Sequence, residues 1–299
     1  MEARKVLYMS ATRRKVEKPF SLKLFVMTVF GFLFVYYFVA NSILKTYFPA
    51  VWLGQVSASW GVNLCTFLGM CVVNGLFEFK FHRYVLHARL IPFLGRFYKQ
   101  HTRHHALTHV IVRKITVGGA EGGMFVVENR FPIVDDEQHE ASFFPWYSFP
   151  AFALLASILF TLVVWRFPWI PLFNQGSLAI ACSLFLYEVL HAIQHWAPER
   201  WIPLLYHPTF GRAWRVVYSY HLGHHANIRC NESISGVLGF PLWDVIFGTL
   251  RLTPSLFKNG ERATEAEIRY RIPPRPRFIG WLDMLAERRI AVRHDRGPA

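Results

Sequence analysis

Uncharged apolar stretches of membrane length punctuate the chain. Leu24–Leu44 runs for 21 residues without a charge, and about 20 such residues carry a helix across the hydrocarbon core of a bilayer. After Lys45 the next charge is Glu78, so Thr46–Phe77 is uncharged too. That is too long for one span. Pro49 and the polar patch Gln55–Ser59 divide it and leave Trp60–Phe79 as the second span. Ala141–Trp165 supplies the third, with Pro150 in its first turn, where a missing N–H is tolerated. Arg166, Pro168 and Pro171 interrupt it, Asn174–Gly176 turns, and Gly176–Tyr187 begins a fourth span that runs into Glu188, His191 and His195. The pattern predicts an all-α integral membrane protein: about four transmembrane helices in two hairpins, the second short, with a helical cap on the cytoplasmic side. Leu24–Leu44 is longer than the roughly 7–15-residue core of a signal peptide and no small-residue cleavage site follows, so it reads as an anchor.

Composition narrows the class. With 53% apolar and 17% charged residues the chain is too hydrophobic for disorder. The four cysteines (Cys65, Cys71, Cys182, Cys230) show no CxxC spacing, and three lie in apolar stretches as small buried residues. The net charge of +14 is concentrated beside the spans. Arg4, Lys5, Arg13, Arg14, Lys15, Lys18 and Lys23 precede the first, whereas the connections after spans one and three carry only Lys45 and Arg166. Cationic flanks face the cytoplasm. This puts the N-terminus, the segment 80–149 and the C-terminus there. Three regions follow: a basic N-terminal segment 1–23, a membrane domain 24–252, and a basic polar tail 253–299. The tail, with Pro273, Pro274 and Pro276, reads as a surface appendage. Cations that flank spans in this way do not make a nucleic-acid-binding domain.

The 14 histidines change the picture from scaffold to chemistry. Ten fall into four groups: His82 and His87; His101, His104 and His105; His191 and His195; His221, His224 and His225. Spans two and four both run toward the cytoplasm, so all four groups reach one face. Residues three and four apart share a helix face, which lets each H-x2-H-H triplet point one way and aligns His191 with His195. His82 and His87, five apart, lie about 140° apart on an ideal α-helix and share a face only through a distortion. Neutral imidazole suits iron, zinc, copper and nickel. Ten ligands exceed one tetrahedral zinc and match two metals of about five nitrogens each. His109, one turn beyond His105, and His207 are weaker candidates; His139 and His294 lie in polar segments.

The order HRYVLH, HTRHH, HAIQH, HLGHH resembles the fatty acid hydroxylase superfamily of membrane non-haem oxygenases, which includes fatty acid 2-hydroxylases, sterol desaturases, methylsterol oxidases and carotenoid hydroxylases. Asn231 and the run PLWDVIFGTLR, through Trp243, Asp244, Phe247, Gly248 and Thr249, are similar to the family's ending, and the likeness covers about residues 60–252. The H-x4-H first group is similar to the fatty acid 2-hydroxylase and carotenoid hydroxylase branches and the H-x3-H third group to the fatty acid 2-hydroxylase type, with a sterol or carotenoid hydroxylase or desaturase as the alternative; the gaps before His191 and before His221 are longer here. The resemblance implies two iron ions on the ten histidines, with zinc possible in the isolated protein. It implies O2 as co-substrate, a lipid substrate entering from the bilayer, and hydroxylation or desaturation of a C–H bond. The chain lacks a haem-binding H-P-G-G, so electrons would come from a separate donor, cytochrome b5-like or ferredoxin-like with a reductase. Glu78, Glu188 and Asp244 are candidates to orient ligating histidines. The membrane would be a bacterial inner membrane or the endoplasmic reticulum. Two other classes compete. One is a metal transporter or storage protein, of which a transporter needs ligands near the bilayer midplane; the other is a haem protein, which leaves the doubled His-His steps unexplained.

Overall fold

The computed structural model describes residues 21–117, 120–129, 144–252, 257–259 and 277–294. The basic segment up to residue 20 and His139 lie outside them.

Among the described residues, four helices are long and apolar enough to cross a membrane. The first, α1 (Leu22–Tyr47), is capped by Ser21, whose hydroxyl accepts from the Leu24 N–H, and buries a narrow stripe of Phe25, Val29 and Leu33. The break at Phe48 falls beside Pro49 as expected, but the next residues form a short helix, α2 (Pro49–Ser57). Gln55, read as part of a polar breaker, is buried: its amide accepts from Phe173 N–H and donates to the Ile170 carbonyl. It thus satisfies backbone groups freed where Pro168 and Pro171 interrupt the chain. Helix α3 (Trp60–Phe81) starts on a Ser59 cap. The third long helix, α5 (Ser148–Arg166), begins later than the uncharged run; residues 141–143 lie outside the described part. After a π turn over Leu172–Gly176 comes α6 (Ser177–Gln194), which packs against α1, α3 and α5 and is the most buried of the four. On the others, large apolar side chains such as Phe34, Phe38, Leu154 and Leu162 are exposed, as lipid-facing residues are and water-facing ones rarely are in such number.

The remaining elements gather at the histidine-bearing ends of α3 and α6. They are α4 (Gly95–Leu107), α7 (Pro198–Leu205), α8 (Gly211–Ala226), the short α9 (Leu242–Ile246) and α10 (Arg277–His294). The chain is mostly helical, but the all-α expectation needs correction. Strands β1 (Thr108–Val117) and β2 (Ala120–Asn129) pair antiparallel with Thr108 opposite Asn129, and β3 (Phe257–Asn259) joins the β2 edge. The β-branched runs Val110–Val112 and Val126–Val127 suit a half-buried pleat. Met124, Phe125 and Val126 pack with Trp201, Leu205, Tyr218 and Leu222, so the sheet buttresses α8. The tail is also more than an appendage: β3 and α10 both come from it.

Candidate metal centre

The α-helical bonding of α3 gives way to a π turn over His82–Leu86, closed by the His87 N–H on the His82 carbonyl (3.1 Å). An i to i+5 turn brings residues five apart onto one side, and the His82 and His87 rings sit with centroids 4.8 Å apart. This is the distortion their spacing demanded.

All ten histidines converge, in two sets. His82, His87, His101 and His224 each present a ring nitrogen within 4.8 Å of the others, and His105 joins them with its Nε2 3.1 Å from that of His101. His104, His195 and His225, and His191, His195 and His221, meet the same criterion and together form the second set. The triplets therefore do not point one way. Helix α4 sends His101 and His105 to the first set and His104 to the second; α8 sends His224 to the first and His221 and His225 to the second. The sets meet at His105 and His225, whose ring centroids are 4.5 Å apart.

Protonation states follow from the outer ring nitrogens. His82 Nδ1 lies 2.6 Å from the Glu232 carbonyl, and His224 Nδ1 lies 2.8 Å from the Cys230 carbonyl. A carbonyl only accepts, so both rings carry their proton on Nδ1 and turn a bare Nε2 lone pair inward. His101 Nε2 sits 3.0 Å from His82 Nε2 and 3.1 Å from both His87 Nε2 and His105 Nε2. In the second set His221 Nε2 is 2.9 Å from His195 Nε2 and 3.0 Å from His225 Nε2. One nitrogen carries at most one proton, so hydrogen bonding cannot satisfy these convergences. Facing lone pairs are the donor set of a Lewis acid, and the residues fit metal ions. Burial holds His87, His101, His104, His105, His195, His221 and His225 well below the ordinary imidazole range, and pushes His224 down to about 4. Neutral imidazole is the state that metal ligation requires.

The carbonyls that orient His82 and His224 belong to two peptides of one loop. A trans peptide is planar, so fixing its N–H fixes its C=O in the opposite direction. The Cys230–Asn231 peptide donates from Asn231 N–H to the Thr249 carbonyl (3.2 Å) while its C=O faces His224. The Glu232–Ser233 peptide donates from Ser233 N–H to Asp244 Oδ2 and to the Tyr220 hydroxyl (both 2.9 Å) while its C=O faces His82. Asp244, fully buried, also accepts from Glu232 N–H (2.8 Å), Tyr220 (2.7 Å) and Thr249 (2.6 Å). Burial first, and then the Asp244 charge, hold the Tyr220 phenol well above its usual range, so it stays an O–H donor. Asn231 adopts φ 54° and clips the loop to Tyr220 and Arg251. Trp243 donates to the Val72 carbonyl of α3, and Phe247 packs on Phe79.

Of the predicted orienting carboxylates, Asp244 acts one step out, through the backbone. Glu78 accepts from Ser235 N–H, Ser235 Oγ and Gly236 N–H, anchoring the same loop to α3. Glu188, fully buried, accepts from the Phe144 N–H (2.6 Å). His207 is exposed and accepts from the N–H groups of Thr209 and Phe210 at the entry to α8. The side chains of His109 and His294 lie outside the described residues. Glu232, Arg83 and Asp283 were not foreseen. Arg83 points away from the imidazoles into a buried pair with Glu232 (2.7 Å) and a two-pronged contact with Asp283 (2.8 and 2.9 Å). A buried acid beside Asn231 was the only available signal.

A cavity of about 850 Å³ lies among α3, α5 and α6, with Gly61 and Trp169 at one end and His82, Tyr187 and Ser235 at the other. Its lining is almost wholly apolar. From Gly61 to His82 the helix rises roughly 30 Å, the thickness of a hydrocarbon core. Comparison of the chain with family models, with curated proteins and with solved structures gave no match.

Proposed function

We propose that the chain is a membrane-bound di-iron oxygenase that hydroxylates, or desaturates, a C–H bond of a lipid, with a fatty acyl lipid as the substrate that suits it best. The observation that carries this reading is the membrane-length apolar cavity ending on His82: a long apolar chain held there reaches the histidine sets without crossing water. His82, His87, His101, His105 and His224 would hold one iron, and His104, His191, His195, His221 and His225 the other. The metals would supply activation of O2 for attack on an unactivated C–H bond, chemistry that no side chain performs. The protein's own part is to keep ten imidazoles neutral, to orient His82 and His224 through the Glu232 and Cys230 carbonyls, and to line the substrate path with apolar residues that exclude water. The histidine face is cytoplasmic in this proposal, where a separate donor delivers electrons.

Two measurements test it. Metal analysis of the purified protein should find about two irons per chain, the number for which ten imidazoles offer five each. Lipid profiles of cells with and without the gene should differ by a species shifted by one oxygen or two hydrogens. Zinc alone, with no O2-dependent activity after loading with iron, sinks the reading.

A further inference from the structure

Helix α10 has two apolar faces, and among the described residues only one of them is packed. Ile279 and Ala286 are buried, and between them Asp283 grips Arg83. At about 100° per residue, Phe278, Trp281 and Met284 fall on the opposite side of the helix, 53%, 50% and 40% exposed. The Phe278 and Trp281 rings stack 6.2 Å apart, and Arg277 and Arg288 are exposed beside them.

Lys80 fixes where this open face lies. It stands in the last turn of α3, a helix of membrane length. Its ammonium sits 5.5 Å from the Phe278 ring centroid. The open face of α10 therefore lies at the depth where the membrane-length helix α3 ends. Tryptophan with arginine or lysine is the combination that settles at headgroup depth, ring among the upper acyl chains and cation in the headgroups.

We propose that α10 lies in the membrane interface, with Phe278, Trp281 and Met284 inserted into the leaflet on the histidine side and Arg277 and Arg288 on anionic headgroups. The occupant of this face is a lipid surface. Its other face holds Arg83, whose second partner is Glu232, so the helix ties the bilayer surface to the loop that orients His82. The proposal rests on the membrane placement of α3 and is independent of the chemistry at the histidines.

The test is tryptophan quenching in proteoliposomes containing anionic phospholipid. The emission of full-length Trp281→Phe, a conservative change at an exposed site, is subtracted from that of the unaltered chain. The difference belongs to Trp281. It should be blue-shifted, lose most of its intensity with phospholipid brominated near the glycerol end of the acyl chain, and respond weakly to aqueous iodide. Lipid quenching of the other tryptophans, including exposed Trp60 and Trp165 on the spans, reports insertion separately. A Trp281 signal quenched by iodide and not by brominated lipid places the face in water. A signal protected from both places protein over it. Either result overturns the proposal.

Discussion

Asp244→Asn separates the orienting role of the loop from mere packing. The carboxylate accepts from two donors at each oxygen: Glu232 N–H and Thr249 Oγ1 at Oδ1, Tyr220 and Ser233 N–H at Oδ2. An amide can accept at only one of these positions, so either flip sets an NH2 group against two donors. Hydrogen bonds to a charged group contribute about 1.5–3 kcal/mol each, which puts the loss at about 3–6 kcal/mol. Tyr220 and Ser233 N–H remain paired with each other (2.9 Å), so the amide favours turning that way and the lower end applies. The Glu232–Ser233 peptide then keeps only its Tyr220 contact, and the carbonyl that orients His82 is held more loosely. Loss of such an outer support lowers metal affinity roughly 10- to 100-fold. The assay is competition for iron or zinc with a chelator of known affinity, beside denaturant unfolding of the metal-free protein. Thr249→Val, which removes one donor and leaves the carboxylate, should cost about 1.5–3 kcal/mol. A destabilised Asp244→Asn protein whose metal affinity equals that of the parent refutes the orienting argument. So does one that unfolds like the parent.

Other outcomes follow from the same geometry. Asp283→Asn weakens the grip on buried Arg83 and should destabilise by about 1.5–3 kcal/mol, with metal affinity falling because Arg83 also holds Glu232; unfolding and chelator competition read the two effects. Gly69 lines the cavity and a side chain added there meets open space, so Gly69→Phe should leave thermal stability intact while oxidised lipid disappears; unchanged product formation removes the cavity from the substrate path. The metal-free protein should lose stability as pH falls below about 6.5. Its buried imidazoles have folded pKa values below their unfolded values, so the unfolded state binds more protons there, at about 1.4 kcal/mol per pH unit for each such histidine. The loss continues toward the folded values, about 4 for His224, and unfolding curves between pH 8 and 4 measure it. Chelation should raise amide hydrogen exchange across α4 far more than across α8, as mass spectrometry would show.

The spans were legible because an uncharged apolar run of about 20 residues is the signature of a bilayer crossing, and the parity of spans two and four put every histidine group at one face. The division of those groups was not legible. Spacings of three and four show which residues share a side of a helix, but not which of two adjacent nitrogen sets each one meets. The π turn at His82–Leu86 depends on tertiary contacts of its own residues, such as Tyr84 with Asp283, that a local pattern does not carry. The carbonyls of Cys230 and Glu232 have no side-chain signature at all; only Asn231 and the Trp243–Thr249 run that braces them stood out. The β1–β2 hairpin was missed although its β-branched runs were in plain view, because the flanking histidine helices suggested a wholly helical cap.

The two histidine helices are held by different forces, and this bears on how the site assembles. Helix α8 carries buried Tyr218 and Leu222 against Trp201 and strand β2, so apolar burial holds it whether or not its imidazoles have ligands. The buried positions of α4 are Gly95, His101 and His104, and its apolar side chains, such as Phe97 edge-on to Phe81, are only half-buried. Its inner face is imidazole. Without a metal that face turns lone pairs toward lone pairs in a buried space, a cost that half-buried apolar side chains offset poorly. On the proposed reading, docking of α4 and metal binding are coupled in the manner of small metal-stabilised domains. Removing the metal should loosen this helix first, while the membrane helices and the α8 buttress stay in place to receive it again.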